Sequence, residues 1–356
     1  MTSQPENAPS PHAMMPALTR DRDRRAVGGW LLAMCGLVFL MVVVGGATRL
    51  TESGLSMVDW RPVTGILPPL SDDAWAAEFA KYRTSPEYRL KNAGMSLDEF
   101  KTIFYWEWGH RLLGRLIGLA FALPLLFFWL KGRIPPGYGT RLLALFFLGG
   151  AQGLLGWFMV KSGLVDEPAV SHYRLAAHLG LALVIFAALF RTALGLLMPA
   201  PAMGRDFTRR LGRIMLGVLA LQIVLGALVA GLKAGMIYNQ WPLMGEGLVP
   251  PGLLHMAPWW LNFLENAVTV QFDHRIGAYV LMALGLWLGW RGWRLGGPVR
   301  VAAVGMSVLL LLQAALGIVT LVKAVPVVWG TAHQGVAVLL LAAVLYFLHL
   351  HKGRVA

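Results

Sequence analysis

Eight apolar runs, each about the 20 residues a helix needs to cross a bilayer, alternate with polar stretches along this 356-residue chain. They lie at about 27–48, 106–130, 141–161, 172–191, 211–231, 269–290, 299–322 and 328–350. Hydrophobic residues make up 57% of the sequence and charged residues 14%, too little charge for an ordinary soluble domain. The expected fold is therefore an all-α membrane protein of eight transmembrane helices, embedded in a lipid bilayer.

A net charge of +13 would suit a nucleic-acid binder, but the basic residues gather in alternate connections, which marks a membrane orientation and no nucleic-acid surface. Arg20, Arg22, Arg24 and Arg25 precede the first run. Lys131, Arg133 and Arg141, then Arg205, Arg209, Arg210 and Arg213, then Arg291, Arg294 and Arg300 follow in alternate linkers, and Lys352 and Arg354 close the chain. These segments are expected in the cytoplasm of a cell whose inner membrane holds the protein, with both termini inside. Residues 1–26 read as a disordered cytoplasmic tail. In the outer connection from about 49 to 105, Ser71, Ser85 and Ser96 each stand where a helix N-cap would, Ser96 in a capping-box pattern with Glu99. Trp75, Phe79, Phe100 and Phe104 would then form buried faces, either along the membrane or in a cap over the bundle.

The chain repeats itself. Glu107, Trp108, Gly109, His110 and Arg111 return as Gln271, Phe272, Asp273, His274 and Arg275; Gln152, Gly156 and Lys161 as Gln313, Gly317 and Lys323; Ala177, His178 and Gly180 as Ala332, His333 and Gly335. Each copy holds four spans, an even number, so both copies take the same orientation and a pseudo-two-fold axis along the membrane normal is expected. The halves are read as 27–195, with the large outer loop, and 196–351.

His110, His178, His274 and His333 stand near the outer ends of the even-numbered spans, one pair per half. An ionisable residue in a bilayer is costly and is a functional candidate by default. Two imidazoles facing one another across a helix bundle suit the two axial positions of a haem iron; the competing reading is hydrogen-bonded interior histidines. Cys35 is the only cysteine, which rules out an intramolecular disulfide and a cysteine metal site. Gly109, Gly114, Gly180, Gly277 and Gly335 would let a flat macrocycle come near the backbone. Arg111 and Arg275 follow their histidines directly and would pair with propionates, or else snorkel to the interface. Glu107 lies three residues before His110, on the same helix face. It is placed to act on a ring substituent as a catalytic acid or base, whereas Gln271 in the second copy is neutral.

These residues resemble those of the haem A synthase family, in the type shared by alphaproteobacteria and mitochondria. The similarity runs from about 27 to 350 and rests on the stretch Gly45 to Ser56, Trp60 to Pro69, Glu107 to Gly114, the His178 segment, His274 to Gly277 and His333 to Gly335. It implies oxidation of a ring methyl of haem O to a formyl group, by successive hydroxylations and loss of water, giving haem A for terminal oxidases. It further implies His110 and His178 at the substrate haem iron, His274 and His333 at the iron of a haem b cofactor, and Glu107 as the essential outer glutamate. An electron donor, ferredoxin or quinol, and a neighbouring haem O synthase are the partners it suggests. Two other classes compete: a dihaem electron carrier of cytochrome b type, which leaves the Glu107/Gln271 difference unexplained, and a transporter, which requires no haem.

Overall fold

The structure is a computed structural model that describes residues 11–60, 64–163, 170–198 and 207–351. Arg61 to Val63 of the tryptophan-proline segment, Arg205, Lys352 and Arg354 fall outside the described residues.

Among the described residues the fold is all-helical, with ten α-helices: α1 (Pro11–Leu50), α2 (Asp72–Arg83), α3 (Pro86–Leu90), α4 (Leu97–Leu130), α5 (Gly139–Gly163), α6 (His172–Leu197), α7 (Phe207–Gly231), α8 (Ala267–Leu295), α9 (Gly297–Val322) and α10 (Val327–Leu350). Helix α1 reaches back to Pro11, into the segment read as a tail. Seven of the helices are long and apolar enough to cross a membrane, so the chain is a multi-pass membrane protein. The expected eighth run forms α8, which has the length but not the composition. Asp273, His274 and Arg275 enter near one end and Arg291 and Arg294 near the other, and both are costly in hydrocarbon.

The long helices pack in a repeating order. α1 lies against α4 and α6, and α5 against α4 and α6; in the second half α7 lies against α8 and α10, and α9 against α8 and α10. Between the halves α1 meets α10, α6 meets α7, and α6 meets α10. One continuous apolar core threads all eight, through Met34, Phe121, Phe186, Met215, Met306 and Phe347 among others. Leucines and aromatics on the outer faces, such as Leu123 and Phe147, are exposed, as expected where lipid rather than protein covers a helix.

The long connection between α1 and α4 folds into a cap. Ser71 accepts from the Ala74 amide and starts α2, Ser85 accepts from the Tyr88 amide and starts α3, and Ser96 and Glu99 form the expected capping box. With these N-caps satisfying otherwise orphaned amides, α2 and α3 bury Trp75 and Tyr82 against Phe100 and Phe104 of α4. The aromatic faces meet one another, with Trp75 edge-on to Phe104 at 5.0 Å between centroids, so of the two expectations the folded cap is the one formed. Helix α4 begins at Leu97, nine residues before the apolar run, because its first turns belong to this cap.

Candidate functional site

Four long helices bring the four histidines to the end of the bundle where α6, α8 and α10 begin. His110 lies on α4 and His178 on α6, helices that share no extended packing and are bridged by α1 and α5. His274 on α8 and His333 on α10 stand in the same relation, bridged by α7 and α9.

Each imidazole rests on a glycine of a bridging helix. A methyl at Gly45 would stand 3.1 Å from His110 Nε2, at Gly156 3.0 Å from His178 Cε1, at Gly226 3.1 Å from His274 Cε1, and at Gly317 2.8 Å from His333 Cε1. A side chain larger than hydrogen would push the rings out of place. The glycines nominated from sequence for the approach of a macrocycle are a different set. Gly109 and Gly180 face open space, Gly114 faces Met41, Gly277 faces Gln222, and Gly335 faces Val43 and Phe39.

Glu107 is 2% exposed and is gripped by donors. The Met57 amide and the Ser56 hydroxyl each donate to Oε2 at 2.7 Å, and Arg111 Nη2 donates to Oε1 at 2.5 Å. Three donors and no acceptor are what an ionised carboxylate requires. Arg111, expected at a propionate, is taken up in this clasp: its terminal nitrogens also reach the carbonyls of Met57 and Asp59, and its guanidinium lies 4.9 Å over the Trp60 ring. Its Nε is buried without a partner. Arg115 reaches the Gly65 carbonyl at 3.0 Å. The strip from Ser56 to Trp60 is thereby tied to the turn of α4 that carries His110.

In the second half the same turn is wired differently. Gln271 Nε2 donates to the Tyr238 carbonyl at 3.0 Å, and Arg275 reaches that same carbonyl at 3.1 Å and the Leu243 carbonyl at 3.1 Å. Arg275 Nε, Gln271 Oε1 and Asp273 Oδ2 are buried without a partner. An amide that donates to a carbonyl holds the loop, but it carries no charge.

The remaining described histidines do structural work away from both pairs. His172 makes an ion-pair contact of 3.4 Å with Glu265, His255 Nδ1 meets the Gly252 carbonyl at 2.7 Å, and His349 and His351 meet the carbonyls of Met198 and Phe347. Among the described residues no three His, Cys, Asp or Glu side chains gather as a metal site. Sequence reasoning passed over the part played by Ser56 and Met57, although Ser56 sits in the stretch it quoted. It also noted Gln152 and Gln313 without assigning them a contact. Gln152 Nε2 donates to the His178 carbonyl at 3.0 Å and Gln222 Nε2 to the His274 carbonyl at 2.8 Å, each also approaching the imidazole.

A family model described as cytochrome oxidase assembly protein (COX15-CtaA) matches residues 28–345. A protein of Rhodospirillum centenum named heme A synthase is 51% identical over 332 residues, covering 92% of this chain and 88% of its own. Proteins of the same name from Parvibaculum lavamentivorans and Agrobacterium fabrum are 48% and 51% identical, covering 92% and 90% of this chain and 95% and 89% of theirs. The clasped glutamate and the two histidine pairs thus lie within the matched region, and the chain belongs to the cytochrome oxidase assembly (COX15-CtaA) family, whose curated relatives bear the name heme A synthase.

Proposed function

We propose that the chain is a haem A synthase, an oxidoreductase that converts the ring methyl of haem O to the formyl group of haem A by successive hydroxylations and loss of water. The observation that carries this reading is the asymmetry of two otherwise equivalent sites. One holds a buried carboxylate three residues from a ligand histidine, and the other holds an amide there. A symmetric electron carrier has no use for that difference.

In this reading the chain forms two four-helix bundles, 27–195 and 196–351, related by an axis along the membrane normal, with 1–26 as the cytoplasmic tail. The packing order supports it, because every contact within one half and between the halves has its counterpart under exchange of α1, α4, α5 and α6 for α7, α8, α9 and α10. Helix α8 is then the eighth span, with His274 against Gly226 and Arg291 reaching Thr208, both on α7. Arg24 donates to the Gly195 carbonyl and Arg133 pairs with Asp23 at 2.6 Å, which gathers the basic linkers at the end opposite the histidines. By the charge rule that end is cytoplasmic, and the haem sites lie toward the outer face.

Substrate haem O is held between His110 and His178, with Glu107 beside the methyl that reacts. A carboxylate fixed by three donors assists loss of a proton there or stabilises developing positive charge. Arg111 holds Glu107 aimed. His274 and His333 hold haem b, which supplies electrons when bound. The cradle fits that group: Gly226 and Gly317 leave room for the rings, His333 Nδ1 donates to the main-chain carbonyl of Gln313 at 3.1 Å, which orients the ring, and the unpartnered Arg275 Nε suits a propionate. A ferredoxin or a quinol feeds the electrons, and haem O synthase delivers the substrate.

The test is pigment extraction from membranes containing the protein. Wild type yields haem bearing a formyl group, and Glu107→Gln retains haem while that product disappears. Full product formation by Glu107→Gln would remove the glutamate from the mechanism.

A further inference from the structure

The repeat continues below the histidines at a finer grain. Four residues before each supporting glycine, one helical turn deeper, stand Gln152, Gln222 and Gln313 beneath Gly156, Gly226 and Gly317. Each glutamine contacts the histidine above it. Gln152 and Gln222 donate to the histidine's carbonyl and approach Nδ1 at 3.2 and 3.1 Å. Gln313 accepts from His333 Nδ1 with its main-chain carbonyl at 3.1 Å and brings its side-chain Nε2 to 3.4 Å from His333 Nε2. Beneath Gly45 the same place holds Met41. A thioether has no proton to donate, and the Met41 methyl packs instead toward Gly114. Among the described residues the His110 ring has no hydrogen bond. It also turns a different edge to its glycine, with Nε2 and Cδ2 nearest where the other three present Cε1.

We infer that His110 is the one exchangeable ligand of the four, and that methionine at position 41, where the other units have glutamine, makes it so. The inference rests on the reading of the two histidine pairs as haem ligands. An iron held by two imidazoles has no open position. A substrate haem must arrive and its product must leave, so one of those bonds opens in every cycle, whereas a resident haem is served by two bonds that stay closed. A glutamine bonded from the neighbouring helix fixes the helix register behind the ring, so a ring that lets go rebinds at once. His110, resting on a glycine above a flexible apolar side chain, has no such restraint. The ligand that opens then shares a helix face with Glu107, three residues away. Met41 is a positioning residue acting through His110, and Gln152 does the opposite for His178.

The experiment uses the full-length protein purified with its haem. Electron paramagnetic resonance first establishes two bis-histidine centres, and the reduced protein is then mixed with carbon monoxide while the Soret band is followed. One centre binds the gas. That response becomes immediate in His110→Ala, which leaves the iron of that centre with one imidazole and an open position, and keeps its wild-type rate at that centre in His333→Ala. Met41→Gln slows it by about five-fold, the factor one ordinary hydrogen bond is worth, and slows haem transfer to apomyoglobin from the same centre. Met41→Leu, of similar size and without a donor, keeps the wild-type rate and controls for packing. Absence of two bis-histidine signals would remove the haem-ligand reading and this inference with it. Two such signals with gas binding at the His274/His333 centre, or with equal rates in wild type and Met41→Gln, would overturn the inference alone.

Discussion

Arg111 and Glu107 stand one turn apart on α4 and meet at 2.5 Å, with side chains only 8% and 3% exposed. Removing one member of a buried pair leaves an uncompensated charge, which costs about 3–5 kcal/mol. Arg111→Met is therefore expected to lower thermal stability by that amount. The double variant with Glu107→Gln should recover much of it, since the charge it strands is gone. A double-mutant cycle of melting curves in detergent measures the coupling, and strictly additive effects would contradict the pairing.

Ser56 contributes one of the three donors to the Glu107 carboxylate. Ser56→Ala removes a hydrogen bond to a charged group, worth about 1.5–3 kcal/mol, while Met57 and Arg111 remain. Product formation should fall and haem content should not. Haem extraction and a stability measurement on the same preparation separate loss of aim from loss of fold.

Position 317 tests the haem cradle proposed for the second half. A methyl there would stand 2.8 Å from His333 Cε1, and overpacking of this kind costs about 1–3 kcal/mol. Gly317→Ala is expected to reduce haem occupancy of the second half, read from the Soret band per protein. Gly305→Ala on the same helix meets nothing within 4 Å and should leave occupancy unchanged.

Glu87 of the outer cap is buried, and burial pushes its carboxyl up from the ordinary 4.5 to about 7, with the Tyr82 hydroxyl bonded to it at 3.1 Å. Below pH 4.5 both folded and unfolded chains hold the proton and this contribution to stability is complete. Between about pH 4.5 and 7 only the folded cap holds it, so stability falls as pH rises through that window and levels off above it. Glu87→Gln should flatten the profile. Limited proteolysis of the cap at pH 5 and pH 8 compares the two, and equal wild-type rates at both would contradict it.

Much of this was legible in the residues. Hydrophobic length marked the spans, serines marked three helix starts, and the doubled Glu/Gln-x-x-His phrase marked the equivalent turns of α4 and α8, because each signal is local and periodic. The contacts of Glu107 were not legible. Ser56 and Met57 reach it from about fifty residues away through a loop whose course depends on where α1 ends. Arg111 was read toward a propionate because a side chain's partner is not visible from its neighbours in the chain. Glycines were sought on the histidines' own helices for the approach of a macrocycle, and those that touch the imidazoles, on the bridging helices, were not legible.

The chain's order of apolar runs, by itself, determined a multi-pass helical protein, since backbone polar groups in lipid must be satisfied within each segment. The duplicated histidines fixed how many imidazoles each half contributes. Only the tertiary structure decided what faces each ring. That choice depends on which helix crosses behind it and at what register, a matter of side-chain packing between segments far apart in sequence. Glycine beneath every histidine, glutamine beneath three and methionine beneath the fourth become one pattern only when α1, α5, α7 and α9 stand beside α4, α6, α8 and α10.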